Sequence, residues 1–443
     1  MYALNLFRGG VLVCLCSSAI GAQSVLLDDS LQKPPTELDY AANEHASLKT
    51  GTTRTVDHYD PVEIDTSLTL SAIVDATLAK YPDSHWLDAL EQEARTIAQR
   101  GESWLAGAAS ASLATQGAFR GVLYDSQALV QVPLWNFGQR DAEQNLARQA
   151  GASAQAQAAD VKLRVAGLVR AALWDMALQN SRFEQAQTEV TITEQLMVKI
   201  RRMYELGDLP RADLLLAQTE LLQKRSLQVL AEAEVMHARK RYISITQSTK
   251  IPADYREKLI EMAEIEPHHP TLVAMNNQIA RKRAEITAIE MTGSGQTNLL
   301  VGISSERGTD SRSNETESFN IGVSVPFGGR AHLAPHIAAA QVELSKLIAQ
   351  REQLFRDLEI AHHEAEHNLE VNRVELERAE ELKQLAEEHF KMTQLSFSVG
   401  EINLMDLLKV QARTQQARLN AKERAVLLQR DIALHNQAVG VLP

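Results

Sequence analysis

Two stretches of this chain carry apolar residues at three- and four-residue steps over a length few helices reach, from about Arg140 to Glu205 and from about Arg330 to Ser396. Neither holds a proline beyond its opening turns, Pro335 being near the start of the second. At 1.5 Å per residue, each predicts a helix roughly 100 Å long. No single core buries such a helix, so it must pack along other long helices. Return partners are predicted from about Pro210 to Gln247 and from Leu404 to Gly440, where Leu404, Leu407, Leu408 and Val410 mark an alanine- and leucine-rich coiled-coil seam. Ahead of each long helix the period changes to two. Ala128, Val130 and Val132 alternate with Leu129 and Gln131, and Leu299–Ile303 and Phe319–Val325 flank a charged loop. These predict β-hairpins at about 105–135 and 297–327. Two short helices are predicted earlier, at Leu68–Ala79 and Asp83–Gly101.

The pattern repeats. Tyr204, Gly207, Asp213 and Gln218 recur at one constant offset as Phe397, Gly400, Asp406 and Gln411, and Pro133 recurs as Pro326. A fixed internal period means copies of one structural unit. The first unit is assigned to 67–249 and the second to 250–443, the latter opening with a segment near 250–270. Residues 1–22 are read as a signal peptide, with Arg8 in its basic region, a short apolar run and cleavage after Ala22. Residues 23–66 read as an extended polar arm. Both cysteines, Cys14 and Cys16, fall in the signal peptide, and they follow Val13 and Leu15 where a lipoprotein would need a small residue. No later stretch is apolar for the 18 or so residues a membrane helix needs. That says nothing against a β-barrel, whose strands are short. The formal charge of -12 argues against a nucleic-acid partner. No phosphate loop, nucleophile elbow or zinc-protease motif is present, so neither enzyme nor cofactor is expected.

The repeated tip Phe397-Ser-Val-Gly400…Asp406-Leu-Leu, its partner Tyr204…Gly207…Asp213, and the strand-to-helix passages around Pro133, Gly138, Pro326 and Gly329 resemble the TolC-like outer membrane efflux family. The resemblance spans about residues 67–440. It implies a mainly α fold with a β-barrel part. Long coiled-coil hairpins would form a periplasmic α-tunnel, and four transmembrane strands per chain would close a trimeric, twelve-stranded barrel. It further implies a passive outer membrane channel of a tripartite efflux pump or type I secretion system. Its partners would be outer membrane lipid, a periplasmic adaptor and an inner-membrane pump. A pore-less periplasmic coiled-coil adaptor or scaffold is the alternative.

Asp213 and Asp406 match the family's acidic periplasmic entrance, where close carboxylates would favour cations. They also lie in the first turn of a helix, where an acid complements the dipole for about 0.3–1 kcal/mol. Lys409 stands where the family often has another acid, and Phe397 where it has tyrosine. Gly207, Asp208, Gly400 and Glu401 form the tip turns, and the resemblance makes them an adaptor-docking surface. Leu214-Leu215 and Leu407-Leu408 read as hairpin core. His363 and His367 share a helix face and could bind a divalent ion, but such pairs are common on solvated helices, and no metal is assigned. Aromatics at the strand ends (Trp104, Trp135, Phe137, Phe319, Phe327) suit a membrane interface or an ordinary exposed hairpin.

Overall fold

The computed structural model describes residues 62–117, 119–120, 124–262, 264–308 and 315–443. The chain divides into two units, Met1–Asp57, which lies outside the described residues, and His58–Pro443. The expected signal peptide, both cysteines, nearly all of the expected arm and the centre of the charged loop fall outside them.

Four long helices build the second unit. Helix α3 (Gln139–Leu206, 68 residues) turns back as α4 (Arg211–Thr246), and α6 (Arg330–Ser398, 69 residues) turns back as α7 (Leu404–Ala438). Short helices precede each hairpin: α1 (Leu70–Leu78) and α2 (Asp83–Glu102) the first, α5 (Pro270–Thr292) the second. Thr69 caps α1 by accepting from the Ala72 N–H, and His269 caps α5 by accepting from Thr271. Helix α4 packs along α3, α6 along α7, and α3 meets α7, so α4 and α6 end the row of four long helices, and α5 packs against α3 and α6.

The last residues of the expected arm form a strand, β1 (Glu63–Asp65), parallel to β4 (Lys250–Pro252). A second sheet holds β2 (Ser110–Gly117), β3 (Tyr124–Leu134), β5 (Thr297–Arg307) and β6 (Glu315–Ser324), all antiparallel in the order β2-β3-β5-β6. The two hairpins are thus joined through β3 and β5, and β2 and β6 are its edges.

The main core lies where α1, α3 and α4 meet, around Ile73, Val74, Val165, Val169, Leu173 and Tyr242. Tyr242 donates its hydroxyl to the Lys250 carbonyl at 2.6 Å, and burial pushes its pKa up to about 12. Beside this core Arg170 is fully buried. Its guanidinium makes a bidentate pair with Glu257 (2.8 and 2.6 Å) and donates to Gln437 Oε1 at 2.6 Å and the Val441 carbonyl at 3.0 Å. One side chain on α3 thereby fastens the segment after β4 and the end of the chain.

Removing one partner of a buried pair costs about 3–5 kcal/mol, because the other charge is left uncompensated. Arg170→Ala is expected to lower stability by an amount in that range, and Arg170→Lys to recover only part of it, since lysine cannot bond Glu257 through two parallel donors. Denaturant unfolding of the detergent-solubilised protein measures both.

Candidate functional site

The sheet separates its residues by polarity. Register places Leu113, Ala128, Ile303 and Phe319 in one row and Ala111, Val130, Val301 and Ile321 in the next row on that face, which Val132, Leu299 and Val323 extend. The opposite face carries Ala114, Gln127, Ser304 and Ser318, then Ser112, Leu129, Gly302 and Asn320. Alternation along a strand puts these sets on opposite sides. The apolar face is uncovered: Leu113 is 80 % exposed, Ile321 70 % and Phe319 68 %. Exposed aromatics bracket it, Phe119 and Tyr124 at the turn end and Trp104, Phe137 and Phe327 at the helix end. The strands β3 and β5 have 11 residues each. At about 3.3 Å per residue and a tilt near 45° that length spans about 25 Å, the height of a barrel's lipid-facing band.

The four passage residues pack around one junction. Gly138 takes φ +75 at the start of α3. Asn136 beside it donates to the Thr292 and Gly295 carbonyls (2.9 Å each) and accepts from the Thr297 hydroxyl at 2.8 Å, binding the first passage to the second repeat. Pro133 is buried and Pro326 lies against Gly295. Gly329 approaches Ser294 so closely that a Cβ would stand 2.8 Å from its backbone.

The hairpin tips are two copies of one turn. Gly207 adopts φ +85 and Gly400 φ +79. The Gly207 N–H bonds the Tyr204 carbonyl and Asp208 N–H that of Met203; Gly400 and Glu401 bond Phe397 and Ser396 in the same way. This is the paired bonding of a Schellman motif, which satisfies the last carbonyls of α3 and α6. Asp213 and Asp406 are each the third residue of the helix that follows. Asn403 caps α7 by accepting from the Asp406 N–H at 2.9 Å, and Lys409 donates to the Asp406 carboxylate at 3.3 Å. Pro210 stands at the corresponding place before α4 and offers no side-chain cap. Above the turns, Met197, Ile200 and Ala217 of the first hairpin pack with Phe390, Phe397, Leu404 and Leu407 of the second. The leucine pairs divide: Leu407 is buried and Leu214 and Leu408 half-buried in this cluster, whereas Leu215 is exposed.

His363 and His367 stack on the exposed side of α6 with ring centroids 6.4 Å apart, and among the described residues no three His, Cys, Asp or Glu side chains converge as a metal site requires. The adjacent His362 turns inward instead. It bonds the Met262 carbonyl at 3.0 Å and lies 5.5 Å from the ring of His435 on α7. Desolvation, then the neighbouring His362, hold the His435 pKa below its ordinary value, with Glu366 opposing. Arg170, Asn136 and the His362–His435 contact escaped the reading of the sequence. An arginine within Val165-Ala-Gly-Leu-Val-Arg170-Ala-Ala-Leu is the one signal that was visible, a charge set in an apolar run.

An uncovered four-stranded sheet on paired long helical hairpins is a fold this chain shares with solved outer membrane channels. The structure superposes on CusC, solved in a study of folding and transmembrane channel formation, with TM-score 0.68 and 12 % identity over 84 % of this chain and 92 % of that one. It matches the Campylobacter jejuni CmeC outer membrane channel at TM-score 0.64 and 12 % identity (84 % and 85 %), and the open Neisseria gonorrhoeae MtrE outer membrane channel at 0.63 and 15 % (84 % and 89 %). No protein-family model and no curated protein matches the chain. At these identities the shared property is the fold, which is the TolC-like fold that the repeated motifs implied.

Two outcomes are expected here. Gly207→Ala and Gly400→Ala should each cost about 1–2 kcal/mol, the penalty of a Cβ in the left-handed region. Gly151→Ala, mid-helix with open space beside it, should instead stabilise by about 0.5–1 kcal/mol. Thermal unfolding of the three variants separates the cases. For His435, a lowered folded pKa means that the unfolded chain binds more protons below about 6.5, the ordinary imidazole value. Its contribution is therefore complete above that pH and is lost as pH falls through the lower folded value. Unfolding midpoints from pH 7.5 to 5 should decline, and His435→Gln should flatten the decline.

Proposed function

We propose that this chain is the exit duct of a tripartite efflux pump or type I secretion system, a passive homotrimer in the outer membrane that reaches into the periplasm. The observation carrying this reading is a sheet with one face apolar and uncovered and two unpaired edges. In lipid every backbone donor and acceptor must be satisfied, so a spanning sheet must close. Strand β6 of one copy pairing with β2 of the next closes it, and three copies give twelve strands. The polar face then lines the lumen. Helices α4 and α6 are the outermost of their layer, so the same neighbour closes both layers. Among the described residues no helix is long and apolar enough to cross a membrane, which leaves spanning to the sheet.

In this reading the tips, with Gly207, Asp208, Gly400 and Glu401, face a periplasmic adaptor, and an inner-membrane pump supplies the energy. Asp213 and Asp406 ring the entrance with six carboxylates. Asp213 makes no side-chain hydrogen bond or ion pair among the described residues, and Asp406 is paired only at the surface with Lys409. Both are thus open to passing ions. Support for the function beyond the fold comes from the neighbours, which are named as outer membrane channels.

The test is planar-bilayer conductance of the detergent-purified protein, with its mass measured in parallel. A trimer with discrete, cation-selective openings is expected. A water-soluble species without conductance would overturn the channel and favour the scaffold alternative. In the same assay Asp213→Asn with Asp406→Asn should reduce cation selectivity severalfold; unchanged selectivity would leave the two aspartates as helix N-terminal acids only.

A further inference from the structure

We infer that residues 254–262, which follow β4 and lead toward α5, are a strap that acid releases, with His362 and His435 as its latch. The inference concerns the single chain and does not depend on the ring. The strap has no regular structure, and among the described residues no backbone-to-backbone hydrogen bond holds it. Side chains from three long helices hold it instead. Arg170 on α3 grips Glu257. Asn436 on α7 donates to the Lys258 carbonyl at 2.9 Å and accepts from the Ile260 N–H at 3.1 Å. His362 on α6 bonds the Met262 carbonyl through Nε2 at 3.0 Å. The strap thus carries the chain from the first repeat to the second while tying α3, α7 and α6 together.

The latch is a pair of imidazoles packed face to face in the interior. His362 and His435 are 6 % and 4 % exposed, with ring centroids 5.5 Å apart. A carbonyl can only accept, so Nε2 of His362 carries a hydrogen. His435 Nδ1 is buried with no hydrogen-bond partner among the described residues. A neutral ring tolerates this by keeping its hydrogen on Nε2 and leaving Nδ1 a bare acceptor. A protonated ring cannot, because both nitrogens are then donors and one of them faces no acceptor. The charge would also be desolvated beside His362. Moving α7 and α6 apart relieves both penalties, and it pulls on the two neighbouring anchors of the strap, Asn436 and His362.

The surrounding charges give the protonated ring little relief. On α6, Glu366 favours it, but from an exposed position, and Glu359, His363 and Glu364 are exposed as well. On α7, Asp431 is already bonded to Asn372 and Arg430. Arg170 of α3 and Glu257 of the strap neutralise each other. The strap's other charges, Asp254, Arg256, Lys258 and Glu261, are exposed. Once released, the ring returns to the ordinary imidazole value near 6.5, above the one it has when latched. The released state therefore binds more protons below that pH, and acid favours release.

Hydrogen exchange of the full chain in detergent, corrected for the intrinsic exchange rate at each pH, tests the latch. The peptide spanning 254–262 contains the Ile260 N–H. Its protection is expected to fall by up to about tenfold from pH 7.5 to 5.5, the limit set by one proton, while α3 around Val165–Leu173 keeps its own. His435→Gln should remove this pH dependence. Glu366→Gln, a surface change, should deepen the loss at pH 5.5, because it removes the carboxylate that favours the charged ring. Equal protection of the strap at both pH values would overturn the latch, as would an undiminished loss in His435→Gln or a smaller one in Glu366→Gln. A loss shared equally by the strap and α3 would be general unfolding, and would overturn it too.

Discussion

Backbone hydrogen bonding at the edges of the four-stranded sheet is the constraint on which the rest of this architecture depends. β2 and β6 each pair on one side only, and the face between them exposes Leu113, Phe319 and Ile321. In water such a sheet would be an aggregation template, with unpaired edges and an apolar patch together. In lipid the patch is favourable, but the edges become intolerable, each unpaired group costing several kcal/mol. Only closure answers both demands, and a ring of copies achieves it without lengthening the chain.

Closure of the sheet imposes itself on the helices through a short, stiff junction. Gly138 and Gly329 let the chain turn from strand to helix where a Cβ would be strained or obstructed. Asn136 binds that turn to the end of α5, the start of β5 and Gly295 between them. The long helices are thereby tied to the strands that lead into them. At the other end of the long helices, among the described residues, the tips are held by glycine turns and by one apolar cluster joining the two hairpins. The described residues are most tightly fastened beside the sheet and around Arg170, and most simply fastened at the hairpin tips.

Much of this was legible in the sequence because periodicity over sixty residues leaves little freedom. The long helices expected at Arg140–Glu205 and Arg330–Ser396 run Gln139–Leu206 and Arg330–Ser398. The tips were legible because glycine at a helix end has a backbone reason, and the repeat displayed that reason twice. What escaped notice depends on distance in the chain. Arg170 finds Glu257, Gln437 and Val441, and His362 finds Met262 and His435, partners whose spacing carries no period. The strand β1 was missed because three residues of parallel pairing have no pattern of their own. The paired leucines divided for a related reason. Leu214 and Leu215 point about 100° apart on the helix, so one meets the second hairpin while the other faces outward.

The repeat also explains why the two tip aspartates, Asp213 and Asp406, need not be equivalent. Both are third residues of a helix after the same glycine turn, so geometry treats them alike. Their neighbours do not. Asn403 caps α7 and Lys409 reaches Asp406, while Pro210 gives α4 no side-chain cap and Asp213 has no side-chain partner among the described residues. An uncapped N-terminus has more bare N–H groups and draws more benefit from an acid in its first turn. Asp213 therefore carries the larger share of the helix-end stabilisation, and Asp406 has part of its charge cancelled by Lys409. In the trimer proposed above, the six carboxylates would divide into three that hold their helices more firmly and three that are partly neutralised. Two copies of one motif thus differ in their electrostatics because Asn403 and Lys409 stand where the first copy has Pro210 and Leu216.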